Sequence, residues 1–164
     1  AAVAIDNMAR LLESCRARSV RVLYTIPTSE ADDGQDLSDQ VRSTGLPVPI
    51  GYTRNGIRQE VATADGEPIL CRGTYSAFLG TDLFERLRSD TIDTILMGGL
   101  LADASVALTA REAADLGFQV VVVWDASASS TLAEHEHVKA SLAGGSIRLR
   151  STRETLALLR GEVS

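Results

Sequence analysis

Residues 119–124 read Q-V-V-V-V-W and run on into D-A-S-A at 125–128. An apolar, β-branched run this short suits a strand buried on both faces, as in the middle of a parallel sheet. Working outward, residues 102–116 predict a helix that ends at Gly117, a residue suited to the left-handed cap position. Downstream, Ser130–Leu142 predicts a helix, Ile147–Leu149 a short strand and Thr152–Arg160 a last helix. Upstream, Ile92–Met97 predicts a strand, Thr81–Arg88 a helix and Pro68–Cys71 another strand. This alternation argues for an α/β fold with a parallel sheet covered by helices. In such sheets ligands bind beyond the carboxyl ends of the strands. The segments to inspect are therefore 25–29, 72–78, 98–105 and 125–130.

The N-terminal part is less regular. Met8, Leu11, Leu12 and Cys15 recur at helical spacing and predict a helix over 7–18, with Asp6 or Asn7 as its cap. Val20–Thr25 predicts a buried strand. Residues 27–66 are punctuated by Pro27, Gly34, Gly45, Pro47, Pro49, Gly51 and Gly56 and read as an irregular loop region. A connection of this length serves as a lid or subunit contact in some domains and as a plain surface loop in others.

Composition narrows the function classes. The 164 residues suit one domain, 1–164, and a net charge of −6 disfavours a nucleic-acid partner. The apolar runs are too short to span a bilayer, so no membrane role is expected. Two cysteines, Cys15 and Cys71, make no disulfide framework, and a cytoplasmic location is the default expectation. Lys139 is the only lysine beside 15 arginines. A mechanism that needs a titrating lysine must therefore use Lys139, since arginine keeps its proton.

Three segments carry a resemblance. Residues 71–83 read C-R-G-T-Y-S-A-F-L-G-T-D-L, residues 97–118 read M-G-G-L-L-A-D-A-S-V-A-L-T-A-R-E-A-A-D-L-G-F, and residues 120–128 read V-V-V-V-W-D-A-S-A. Together they resemble the isochorismatase-like hydrolase family, also called cysteine hydrolases, and come nearest to its isochorismatase branch, which lacks the cysteine. That family shows a lysine four residues before S-A-F, then T-G-x-x-T-x-x-C-V, then T-A-R-x-A-x-D-x-G-[YF], then a strand ending in D-A. The resemblance runs from about Asn7 to Leu159. It implies a three-layer α-β-α, Rossmann-like fold with a mainly parallel sheet. It also implies homo-oligomers, a small carboxylated substrate and no cofactor.

Carried over residue by residue, the resemblance puts Ser105 at the cysteine position and Arg72 at the lysine position. It puts Tyr75, Ser76, Phe78, Leu100 and Leu101 around the substrate, and a cis peptide at Leu100–Leu101. The aspartate belongs at the end of a first central strand that is not evident here. Either Ala2–Asp6 is that strand, with Asp6 as the aspartate, or a segment ahead of Ala1 supplies it.

Each position has a plainer reading. Ser105 suits a helix-capping hydroxyl, Arg72 a structural ion pair, and Cys71 a small core residue on a strand. Cys71 as a displaced nucleophile is the less favoured alternative. His135 and His137 stand two apart and do not share a helix face. The stretch 25–34, where metal-binding members carry histidines, has none, so no catalytic metal is expected. Two functions compete: a hydrolase of a carboxylated enol ether that works without a cysteine, and a degenerate member that binds a ligand or serves a structural role. A serine hydrolase built on Ser105 is a distant third.

Overall fold

The computed structural model describes residues 2–45, 48–50 and 57–162. Pro47, Gly51 and Gly56 of the loop region lie outside the described residues. The elements in chain order are α1 (Ala2–Ala17), β1 (Tyr24–Pro27), α2 (Asp39–Arg42), a 3-10 turn (Gln59–Val61), β2 (Ile69–Arg72), α3 (Leu83–Ser89) and β3 (Thr94–Leu100). Then come a π-helical turn (Ala102–Val106), α4 (Ala107–Asp115), β4 (Gln119–Ala128), α5 (Leu132–Leu142), β5 (Ile147–Arg150) and α6 (Thr152–Leu159).

All strand pairing between these elements is parallel, in two sheets ordered β1–β2 and β3–β4–β5. The α/β class and the parallel pairing are as expected, with no central first strand evident among the described residues. No strand among the described residues pairs with both β1 and β3. The valine run sits at the centre of the larger sheet, with Val120, Val122 and Val123 fully buried. Around β4 pack Ala102, Ala107, Ala110 and Ala113 from the π turn and α4, Val138 and Leu142 from α5, and Phe78, Leu83 and Phe118. Small alanines let α4 lie close against the sheet, while the Phe118 ring stacks on Phe78 and meets Phe84 edge-on.

Local chemistry starts the helices where expected at the C-terminal end. Thr131 and Ser151 each form a reciprocal capping box, with Glu134 and Glu154 respectively. At the N-terminus the expectation is corrected. Helix α1 begins at Ala2, so Asp6 and Asn7 are interior residues and not caps. Burial of Ala4 and Ile5 against the fold extends the helix past both polar residues. The reading of Ala2–Asp6 as a strand ending in a catalytic aspartate is overturned by the same helix. Strand β1 is also shorter than Val20–Thr25 suggested, because only Tyr24–Pro27 finds ladder partners, Ile69–Arg72 of β2. No helix among the described residues is long and apolar enough to cross a membrane.

Candidate active site

Arg72 ends β2 in register with Pro27, and its carbonyl accepts a bond from Thr28 N at 3.0 Å. The chain can turn sharply after it because Gly73 lacks a side chain. A Cβ there would lie 2.7 Å from the backbone oxygen of Asp36. That close approach folds the segment after β1 over the strand end. Gly73 O accepts from Ser38 N at 2.8 Å, and the Asp36 carboxylate accepts from Ser29 Oγ at 2.5 Å and Glu30 N at 2.7 Å. These bonds hold the Asp36 carboxyl below its ordinary pKa. Gly73→Ala is expected to cost roughly 1–3 kcal/mol, since backbone and not a flexible side chain must give way. Urea denaturation checks the cost, and faster amide exchange over 28–38 would show that this segment had been released.

The Arg72 guanidinium is buried, and its partners among the described residues are neutral. Nη2 donates to Ser105 Oγ at 3.0 Å, another N–H donates to the carbonyl of Thr74, and Nε is buried with no acceptor among the described residues. Burial pushes its pKa down to about 10, with Tyr75 pulling weakly the other way. Ser105 is itself buried, in the π turn that follows β3. The Leu100–Leu101 peptide just before this turn is cis. Arg72 and Ser105, 33 positions apart in sequence, are thus in direct contact. Among the described residues no carboxylate or imidazole hydrogen-bonds the Ser105 hydroxyl. Without a base to take its proton, a serine is a weak nucleophile.

The other nominated residues divide. Tyr75 and Ser76 line a shallow groove with Thr74, Leu79, Leu108 and Arg111. Ser76 Oγ is taken up by the Glu112 carboxylate, a partner the sequence did not flag. Phe78 is corrected: it stacks on Phe118 inside the core, with ring centroids 6.1 Å apart, and is not a wall of the site. Leu100 is half-exposed and Leu101 partly buried, at the carboxyl end of β3. Asp6 is exposed on α1, and the hydrogen bonds of Arg72 run to Thr74 and Ser105 instead. Successive strand residues face opposite sides, so Cys71 faces away from the side that carries Arg72. Cys15 is buried in α1, and burial raises its thiol pKa.

Asp125, in the D-A that ends the valine strand, works as a tie between elements. Its Oδ1 accepts from Thr152 N at 2.6 Å and Thr152 Oγ1 at 2.7 Å, while its backbone oxygen accepts from Asn7 Nδ2 at 2.8 Å. Next to it, Trp124 stacks on His135 with ring centroids 4.1 Å apart. Burial lowers the His135 pKa below its ordinary 6.5, outweighing the nearby Glu136 and Asp103. The unfolded chain therefore binds this proton more readily than the folded one. Stability should fall as the pH drops below about 6.5. A change in Trp124 emission over the same range is the expected readout, and it should vanish in His135→Gln. A titration that survives that substitution would belong to another group. Among the described residues, no three His, Cys, Asp or Glu side chains converge as metal ligands would.

The isochorismatase domain model matches residues 1–154. The chain is 31% identical over 126 residues to N-carbamoylsarcosine amidase of Arthrobacter sp., covering 72% of this chain and 47% of that protein. It is 30% identical over 131 residues to isochorismatase of Bacillus subtilis, covering 79% of this chain and 41% of that protein. The chain thus spans less than half the length of each of these curated relatives. Among solved structures, an isochorismatase family protein from Desulfovibrio vulgaris superposes with a TM-score of 0.84 at 26% identity, covering 96% of this chain and 84% of that one. With the domain match, the parallel α/β fold and the Arg72–Ser105 contact at the strand ends, the chain belongs to the isochorismatase family.

Proposed function

We propose that the chain carries the small-molecule site of a hydrolase in which Arg72 binds a substrate carboxylate and Ser105 is a positioning partner, not a nucleophile. The observation that carries this reading is the buried guanidinium with no counter-anion among the described residues. A bidentate carboxylate on Arg72 would supply the missing charge and accept from Nε, the donor left open. The Ser105 hydroxyl accepts from the same guanidinium and holds its plane. The favoured reaction is hydrolysis of a carboxylated enol ether: a proton goes to the enol-ether carbon, water adds to the carbon bearing oxygen, and the alcohol leaves. This chemistry needs no cysteine at position 105. Asp6 is not assigned the proton transfer, because it lies exposed on α1 and the hydrogen bonds of Arg72 run to Thr74 and Ser105 instead.

The absence of a base on Ser105 favours one second reading, a member that binds a carboxylated ligand without turning it over. Assays with isochorismate and with simple amides separate the two, using the chain and the Ser105→Ala, Arg72→Lys and Arg72→Lys/Ser105→Cys variants. Cleavage of isochorismate that survives Ser105→Ala is the expected result. Amide turnover only in the double variant would identify a degenerate amidase instead. A ligand-induced rise in Tm with no turnover of either substrate would favour the binding role.

A further inference from the structure

A second concave feature shares no lining residue with the Arg72–Ser105 pair. It is a cavity of about 280 Å³ where the end of β5 meets the middle of β4, bordered by Trp124, Asp125, Lys139, Arg150, Ser151 and Glu154. Its hydrogen-bonding groups are unequally used. The Asp125 and Glu154 carboxylates already accept two bonds each, from Thr152 and Ser151 at the start of α6. The donors are not matched. Trp124 is 6% exposed, yet its Nε1–H is buried with no acceptor among the described residues, and so is Nε–H of Arg150. Lys139 reaches only the half-exposed Glu136, at 3.7 Å.

Buried N–H groups without acceptors are costly and rare in folded proteins. Three donors, two of them cationic, therefore border one cavity, while Asp125 and Glu154 each turn one oxygen, Oδ1 and Oε2, to the start of α6. The indole N–H of Trp124 and Nε–H of Arg150 lack an acceptor among the described residues, and a small anion supplies several at once. We infer that this cavity binds a small oxyanion, a carboxylate or phosphate group, on Arg150, Lys139 and the indole N–H of Trp124. It is a site separate from the one at Arg72. The single lysine of the chain then has a binding role, although it stands on the wrong helix to serve Arg72.

Trp124 is the only tryptophan, so its emission reports on the cavity directly. Inorganic phosphate and acetate are titrated separately at constant ionic strength, with sodium chloride as the balancing salt. The expected result is saturable with at least one of them. Saturation by phosphate alone identifies a phosphoryl group, and saturation by both identifies a general oxyanion site. Affinity should weaken at least tenfold in Lys139→Gln and in Arg150→Gln, and stay unchanged in Ser105→Ala. No saturation with either anion overturns the inference. So does equal affinity in the two cavity variants, or loss of binding in Ser105→Ala. If Arg150→Gln does not fold, the half-exposed Lys139 decides the matter alone, because its removal leaves the core intact.

Discussion

Arg72→Met is expected to stabilise the fold by roughly 1–2 kcal/mol while removing affinity for carboxylate ligands. The two effects have one cause. Arg72 is 5% exposed, and its hydrogen-bond partners among the described residues are the neutral oxygens of Thr74 and Ser105. Burying a charge without an opposite one disfavours the charged form, which is why its pKa falls to about 10. Because the unfolded chain holds this proton more tightly, the penalty is fully present at neutral pH and relaxes only as pH rises above about 10. Methionine fills the same space without charge. The two lost hydrogen bonds, at about 1 kcal/mol each, offset part of the gain. Urea denaturation at pH 7 measures the stability, and thermal shift with carboxylates measures the binding. A loss of more than about 3 kcal/mol would mean the guanidinium is a paired structural group, and the carboxylate reading would fall with it.

Phe118→Ala is expected to cost about 3–5 kcal/mol, more than any other single truncation considered. The ring is fully buried at the start of β4 and touches three partners at once. Phe78 stacks on it, Phe84 meets its face edge-on, and the Arg88 guanidinium sits 4.8 Å from its centroid. Arg88 also donates to Leu116 O at 2.8 Å, so the cation is held in place over the ring. Truncation would open a cavity that the alanine-rich α4 is too short-limbed to fill. Chemical denaturation checks the magnitude. A cost below about 1 kcal/mol would show that the aromatic cluster repacks freely.

The parts of the fold that were legible in the sequence are those set by local pattern. The valine run could be placed as a buried strand because its period and β-branching need no partner to be recognised. Thr131 with Glu134 and Ser151 with Glu154 carry their capping signal within four residues. Where tertiary contact decides, reading failed. Asp6 and Asn7 look like caps by type, yet packing of Ala4 and Ile5 carried the helix past them. Val20–Leu23 has strand propensity, but a strand needs a neighbour to bond with. Phe78 sits in a motif that suggested a substrate wall, and the core claimed its ring. The contact between Arg72 and Ser105 could be anticipated only through family resemblance, because no spacing rule joins positions 33 apart. The Asp125–Thr152 tie, the Ser29–Asp36 clasp and the Trp124–His135 stack left no linear signal at all.

The division into two sheets bears on how the molecule comes apart. Among the described residues, β1–β2 shares no backbone ladder with β3–β4–β5. Side chains join them: Leu70 and Leu23 pack on the common core, and Arg72 Nη2 donates to Ser105 Oγ. Local opening is cheapest where few apolar contacts are buried and costs most in the enclosed core. The four residues of β1 are only half-buried, while β4 is enclosed over most of its length. Within the described residues, the strands around β4 form a closely enclosed block, and β1 with its partner β2 forms a looser flap beside it. Amide protons of Tyr24–Ile26 should exchange well before those of Val120–Val123, and Arg72, at the end of β2, is carried on the flap while Ser105 rides on the block.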